Sequence, residues 1–276
     1  MIDTKRIAAA FHDRAFEYDR HIAVQKRVVN NLVGYLESHL AKAPENILDV
    51  GTGTGTLLQN LRRIYPDASL FGLDSAYNMC LRAASKLGGD CLAVNGYAEM
   101  LPFKSEVFDL AVSTSALQWA VSISDSLHEM RRVLKPGGAL CIAFFCDGTL
   151  LELKRCFRDV VCEDGVENSE RTARLHKFWT VGDVKAILEG MDFEQVILNC
   201  ETEEDWYDDL PSLLRAIKNI GAGAVTGGGV TGLGWRGIIN KMSRLYEEHY
   251  AQEGKIPATY KVLYLYARVP VSKESR

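Results

Sequence analysis

Two carboxylates bracket the most distinctive stretch of the chain, Ile47-Leu48-Asp49-Val50-Gly51-Thr52-Gly53-Thr54-Gly55-Thr56. Asp49 ends an apolar run just before three glycines. Asp74 ends a second run, Ser69-Leu70-Phe71-Gly72-Leu73, about 20 positions beyond them. An acidic residue at that spacing suits the paired hydroxyls of a ribose. Asp49, close to the turn, would repel a pyrophosphate and attract an ammonium. The pattern Asp-x-Gly-x-Gly-x-Gly also departs from the G-x-G-x-x-G of dinucleotide loops. A ligand with a ribose, an amino group and no phosphate fits these residues better, and S-adenosylmethionine is such a ligand. Gly51, Gly53 and Gly55 would let the backbone turn sharply and a ligand lie on bare main chain, with helix N–H groups aimed at it. A purely structural βαβ turn and a dinucleotide-dependent oxidoreductase are the competing readings.

These residues need a scaffold of strand, tight turn and helix, and the following sequence repeats that alternation. The spacing predicts a helix over 76–87, a strand at 91–94, a strand at 108–113 and a helix over 122–134. A Pro-Gly-Gly turn at 135–138 precedes a strand over 139–145. Such alternation means a mostly parallel α/β sheet with helices on both faces, and its ligands bind beyond the carboxyl ends of the strands. The places to look are therefore the glycine turn, Asp74, the loop Asn95-Gly96-Tyr97-Ala98-Glu99, Ser113-Thr114-Ser115-Ala116-Leu117-Gln118-Trp119, and Cys146-Asp147-Gly148-Thr149. The Tyr97–Glu99 loop should touch the adenine. The Ser113–Trp119 segment should lie beside the transferable methyl, although Gln118 and Trp119 could equally be loop packing.

The flanks differ from this core. Residues 1–20 are polar and weakly periodic but include Phe11, Tyr18 and Asp19. A helix is expected from His21, with Val24, Val28, Leu32, Leu36 and Leu40 spaced by four, closed before Pro44. The expected division is an arm at 1–43, a cofactor-binding core at 44–146, a helical insertion at 147–178, and the rest of the core at 179–276, carrying a second insertion near 205–252. Within the last part, a helix near 180–190, a strand over 193–200, an acidic stretch at 201–209 and helices over 210–220 and 237–252 lead to a final strand over 260–268. The glycine-rich run 221–234 reads as a loop near the substrate entrance.

Composition sets bounds on function. With 47% hydrophobic and 25% charged residues, the chain is that of an ordinary globular protein. A net charge of −4 argues against a general nucleic-acid binder, and no apolar run is long enough to span a bilayer. The seven cysteines form no CxxC pair, so buried reduced thiols in a cytoplasmic protein are expected, and no metal site.

The quoted motifs resemble those of the class I, Rossmann-type, adenosylmethionine-dependent methyltransferases. Further stretches narrow the resemblance: Phe11…Tyr18-Asp19-Arg20-His21…Gln25, Ala116-Leu117-Gln118-Trp119, Arg131–Gly138, Gly148–Leu153, Leu213–Ala222 and Ala258–Leu263. They are similar to the malonyl-acyl-carrier-protein O-methyltransferases of biotin synthesis, over nearly the whole chain. The resemblance implies a mostly parallel seven-stranded sheet, with the arm and the helical insertions forming a lid. By position, Asp49, Gly51, Gly53 and Gly55 would hold the methionine portion and Asp74 the ribose. In the adenine loop Tyr97 stands where the family usually has an acid, so Glu99 or the Ala98 backbone would have to compensate.

The implied reaction moves a methyl from adenosylmethionine to the free carboxylate of malonyl carried on acyl carrier protein. That carboxylate is already ionised near neutral pH, so no strong base is needed. Alignment and exclusion of water should supply most of the rate. Tyr18, His21, Gln118 and Trp119 are the expected acceptor pocket. Carrier proteins are acidic, so Arg155, Arg158, Arg171, Arg174, Lys177, Arg215 and Lys218 become candidates for the docking surface. A methyltransferase of a small acid or quinone precursor and a non-catalytic adenosylmethionine-binding protein are the alternatives.

Overall fold

The computed structural model describes residues 4–163, 176–220, 222 and 233–271. Seven strands form one sheet in the order β3-β2-β1-β4-β5-β7-β6. They are β1 (Asn46–Val50), β2 (Ser69–Asp74), β3 (Cys91–Asn95), β4 (Phe108–Thr114), β5 (Leu134–Phe145), β6 (Gln195–Tyr207) and β7 (Ile256–Arg268). The first five run parallel, and β7 lies antiparallel between β5 and β6. Strands β1 and β4 are apolar almost throughout because helices cover both faces.

The helices are α1 (Thr4–Arg14), α2 (Ala23–His39), α3 (Thr56–Ile64), α4 (Tyr77–Lys86), α5 (Ile123–Val133), α6 (Leu151–Glu163), α7 (Val181–Glu189), α8 (Leu210–Asn219) and α9 (Leu233–Tyr250). The four-residue spacing in α2 buries Val24, Val28, Leu32 and Leu36 against one face of the sheet, with α3, α6, α8 and α9. Each such side chain contributes roughly 1.5–3 kcal/mol of burial. The other face is covered by α5 and α7 through Leu127, Met130, Val184 and Leu188. Among the described residues, no helix is long and apolar enough to cross a membrane.

Three expectations change. The weakly periodic arm contains the helix α1, whose following residue Ala15 packs on Ala76 and Met79 beside α4. The strand expected to end at residue 200 runs on into the acidic stretch: β6 continues through Tyr207. Alternation puts Glu203 and Asp205 on one side, where they bind Arg27 of α2 at 2.7 and 2.8 Å. The Lys135–Gly138 turn is a bulge inside β5, because Leu134 pairs with Phe108 and Ala139 with Leu110, with Gly137 at φ +74°. Five cysteines are buried as expected, but Cys200 is exposed, with its sulfur 3.8 Å from that of Cys146. Of the glycine-rich run 221–234 expected as a loop, residues 221 and 223–232 lie outside the described residues, as do Arg171 and Arg174.

Candidate active site

The loop after β1 folds as it does because its glycines meet different constraints. Gly51 has φ +76°, and a Cβ on it would lie 2.2 Å from the Ala116 Cβ. Gly55, at φ +80°, begins α3 and would press a Cβ to 3.1 Å from Ala83. Gly53, at φ +53°, has open space where a Cβ would stand. Only Gly53 is thus free of a packing demand, and Gly55 is also required by the packing of α3 on Ala83.

Four of the loop N–H groups are already engaged. Gly51 and Thr52 donate to the Leu73 carbonyl, Gly55 donates to Thr52, and Gly53 donates to Oδ2 of Asp74 at 2.9 Å. These four amides offer no cradle for a phosphate; the N–H groups expected to face a ligand are those of the first turn of α3, which begins at Thr56. Asp74 also accepts the Ala76 N–H at 2.8 Å. It faces the cleft with lone pairs left for hydroxyl donors. Burial pushes its carboxyl up to about 6, partly opposed by the Ala76 and Gly53 amides. Asp49 is 1% exposed, and neither oxygen has a hydrogen-bond partner. Burial, with the charge of Asp74, raises it to about 7 against the nearby Thr52 hydroxyl. It is not itself on the cleft wall but directly precedes Val50 and Gly51, which are.

That cleft encloses about 790 Å³ including its open mouth, within the range of small-molecule sites. Tyr97, Ala98 and Glu99 form part of its wall, as expected. Tyr97 is largely exposed, whereas a Glu99 oxygen accepts the Val121 N–H at 2.8 Å. Glu99 therefore braces the loop. Ser113 is fully buried beneath the site, and Ser115, two residues on, takes the position at the wall. Ser115 adopts φ +53°, an uncommon conformation outside glycine.

A second cavity of about 460 Å³, mostly apolar, adjoins the first. Phe11, Tyr18, Ser115 and Trp119 line both and form the shared wall. Tyr18 therefore sits where the sequence placed it. Burial, then the charges of Asp74 and Asp19, push its phenol well above the ordinary value, so it stays protonated. The Phe11 ring packs edge-on to Tyr18 and Trp119, at 6.1 and 5.9 Å. Gln118 lines the second cavity, but its Nε2 donates to the Ser115 carbonyl at 2.7 Å. His21 does not join the pocket: it is exposed at the end of a 3-10 turn and lines neither cavity.

Two residues, Gln25 and His176, carried no sequence expectation of a place at the pocket. Gln25 lines the second cavity from α2 and could have been found from its position on the same helical face as Val24 and Val28. Thr149 joins it from the loop after β5, within the 146–149 strand end that the sequence marks. His176 backs Trp119 at 4.6 Å and Phe178 at the same distance. Burial, with the Lys154 charge, lowers it to about 4 and keeps it neutral. No local pattern marked it. Among the described residues no cluster suits a metal ion.

A mostly parallel seven-stranded sheet whose one antiparallel strand lies next to the edge, with a cleft walled by the glycine turn after β1 and by Asp74 at the end of β2, is the architecture of a class I adenosylmethionine-dependent methyltransferase. A methyltransferase-domain family model matches residues 48–142. The solved structure of BH2331 from Bacillus halodurans shares the fold, with a TM-score of 0.61 at 19% identity, covering 88% of this chain and 100% of that one. A malonyl-[acyl-carrier protein] O-methyltransferase of Geobacter sulfurreducens is 38% identical over 266 residues, which cover 96% of this chain and 98% of that protein. The chain belongs to the family of malonyl-[acyl-carrier protein] O-methyltransferases. The biotin biosynthesis bifunctional protein BioHC of Teredinibacter turnerae is 31% identical, and the match spans 98% of this chain but 48% of that longer protein.

The residues fit adenosylmethionine. Asp49 is a buried carboxylate with no donor, suited to the field of an ammonium. Asp74 has acceptor capacity for a ribose, and Gly53 leaves room that a side chain would fill.

Proposed function

We propose that the protein methylates the free carboxylate of malonyl carried on acyl carrier protein, the step that primes pimeloyl synthesis for biotin. The observation that carries this reading is the wall shared by two cavities. A cleft built around Asp74 meets an apolar pocket across Phe11, Tyr18, Ser115 and Trp119. Bound adenosylmethionine supplies an electrophilic methyl on a sulfonium. The protein needs only to hold a carboxylate oxygen in line with that methyl and keep water away. A bond forms from oxygen to carbon, the carbon–sulfur bond breaks, and its electron pair stays on sulfur. No proton moves, which suits a site whose buried His176 is held neutral and whose Tyr18 stays protonated. In this reading Asp49, Gly51 and Gly53 surround the methionine portion, Asp74 the ribose, and Tyr97 with Ala98 the adenine. The arm at 1–43 and the helices inserted between β5 and β7 form the lid.

The rim supports a carrier-bound acceptor. Lys177 is adjacent in sequence to Phe178 and Lys218 to Ile217, and both apolar residues line the acceptor cavity. Both lysines are exposed, as are Arg155, Arg158 and Arg215. An acidic carrier docked on these residues would deliver its thioester arm between α6 and α8. The test is methyl transfer from labelled adenosylmethionine to malonyl-acyl-carrier protein, with acetyl-acyl-carrier protein as control. A base-labile label on the malonyl form alone is expected. Cofactor binding without transfer would overturn the acceptor assignment.

A further inference from the structure

The acceptor cavity is apolar except at a few points, and several of those points lack a hydrogen-bond partner. The Ser115 hydroxyl is buried with no hydrogen-bond partner, on a residue held at φ +53° that lines both cavities. Gln25 is 8% exposed and lines the acceptor cavity from α2; unlike the Ser115 hydroxyl its amide is not fully enclosed, and it faces the same cavity with no hydrogen bond seen to it among the described residues. Buried polar groups without partners are uncommon and costly, as is a left-handed serine. Both costs find a use if a ligand supplies the missing partner. Gln118 cannot be that donor: its Nε2 is tied to the Ser115 carbonyl, and its unpartnered Oε1 only accepts.

We infer that the Ser115 hydroxyl and the Gln25 amide hold the acceptor's carboxylate at the boundary of the two cavities, an assignment that rests on the function proposed above. Ser115 touches both cavities and takes the oxygen nearer the methyl; Gln25 takes the carboxylate from the α2 side. Uncharged donors suit this step. They orient an ionised oxygen without neutralising it, so its lone pair stays available to the methyl carbon. Once the carbon–oxygen bond has formed, the ester is a weaker acceptor and leaves more readily.

The test measures kcat and KM for malonyl-acyl-carrier protein with the full-length chain. Alongside are cofactor affinity, melting temperature, and binding of the malonyl carrier in the presence of adenosylhomocysteine. Ser115→Gly removes the hydroxyl and the left-handed cost together. It should keep or raise the melting temperature and leave cofactor affinity within about twofold, yet lower kcat/KM by about 10- to 100-fold. Ser115→Asn, which tolerates this backbone and restores a donor, should recover part of the loss. Gln25→Leu should cost about tenfold and Gln25→Glu more, through like-charge repulsion. An active wild type, with folded Ser115→Gly and Gln25→Leu variants that keep kcat/KM and carrier binding within twofold, would overturn the inference and leave the proposed function standing. A wild type that binds cofactor but neither binds nor methylates the malonyl carrier overturns the proposed function, and this inference with it.

Discussion

Asp19 of the N-terminal arm lies 2.7 Å from Nζ of Lys86 at the end of α4, and its other oxygen accepts the Thr54 hydroxyl of the glycine loop. One side chain thereby ties the arm to the loop and to α4, one residue after Tyr18 enters the shared wall. Burial alone would raise the Asp19 carboxyl. Hydrogen bonds from Lys86 and Thr54, with the charges of Lys86 and Arg82, outweigh it and hold the carboxyl below its ordinary value. A carboxyl depressed in the folded state adds stability above its unfolded pKa and loses it as pH falls through the folded value. The latch therefore holds at neutral pH and releases only below about pH 4. Partly exposed pairs contribute about 1 kcal/mol or less, so Lys86→Met should weaken cofactor binding no more than about fivefold. Hydrogen exchange in residues 4–20 should rise while the core melts as before. Unchanged exchange would remove the latch.

The Asp49 and Asp74 carboxyls move the opposite way, up to about 7 and about 6. A raised acid destabilises the folded state as pH climbs from its unfolded value near 4 through the folded one. The ligand-free protein should lose melting temperature over that interval, and adenosylmethionine should restore it. The thermal shift on adding cofactor should accordingly be larger at pH 8 than at pH 5.5. Asp49→Asn should flatten this dependence and weaken the cofactor by about tenfold or more. Calorimetry across pH checks both; a shift independent of pH would detach Asp49 from the cofactor.

Tyr18→Phe keeps the ring on Phe11 and the wall between the cavities but loses the hydroxyl. Turnover should fall by about tenfold with cofactor affinity nearly unchanged, the size of one hydrogen bond. Because the phenol is held well above its ordinary value, wild-type activity should show no limb from Tyr18 up to pH 10. Unaltered turnover in the variant would remove Tyr18 from the chemistry.

The glycines of the loop should separate by substitution. Gly51→Ala drives a Cβ into Ala116 and should destabilise the fold by about 2 kcal/mol or more. Gly53→Ala meets no atom and should cost about 1 kcal/mol for its backbone, while losing cofactor affinity. Denaturant melts with cofactor titrations distinguish them. Equal destabilisation by the two would contradict the packing described.

Charge reversal at Arg155 or Arg215 should raise KM for malonyl-acyl-carrier protein but not for malonyl pantetheine. The wild-type preference for the carrier should shrink as salt is added. A variant whose KM for the carrier stays the same would take its residue out of the docking surface.

The glycine loop, Asp74 and the adenine-loop wall were legible because each is local, a strand end with its own turn chemistry. Ser113 was taken for Ser115 because a strand end cannot be fixed to two residues from pattern alone, and only the register of β4 on β5 settles which serine passes the edge. His21 looked like part of the pocket because it follows Tyr18 closely. The 3-10 turn over Tyr18–Arg20 reverses the chain and leaves it outside. The strand expected over 193–200 stops short of β6, which runs on to Tyr207, because the acids that begin at Glu201 end the apolar pattern. Their partner, Arg27, lies 176 positions away from Glu203 and no window along the sequence includes both.

Phe11 and Tyr18 belong to the arm, yet they wall both cavities. A ligand in either cavity therefore rests on the same two rings, which the Asp19 contacts hold against the glycine loop and α4. Any change of affinity passed across that wall, without rearrangement of the sheet, must be mutual and by the same factor.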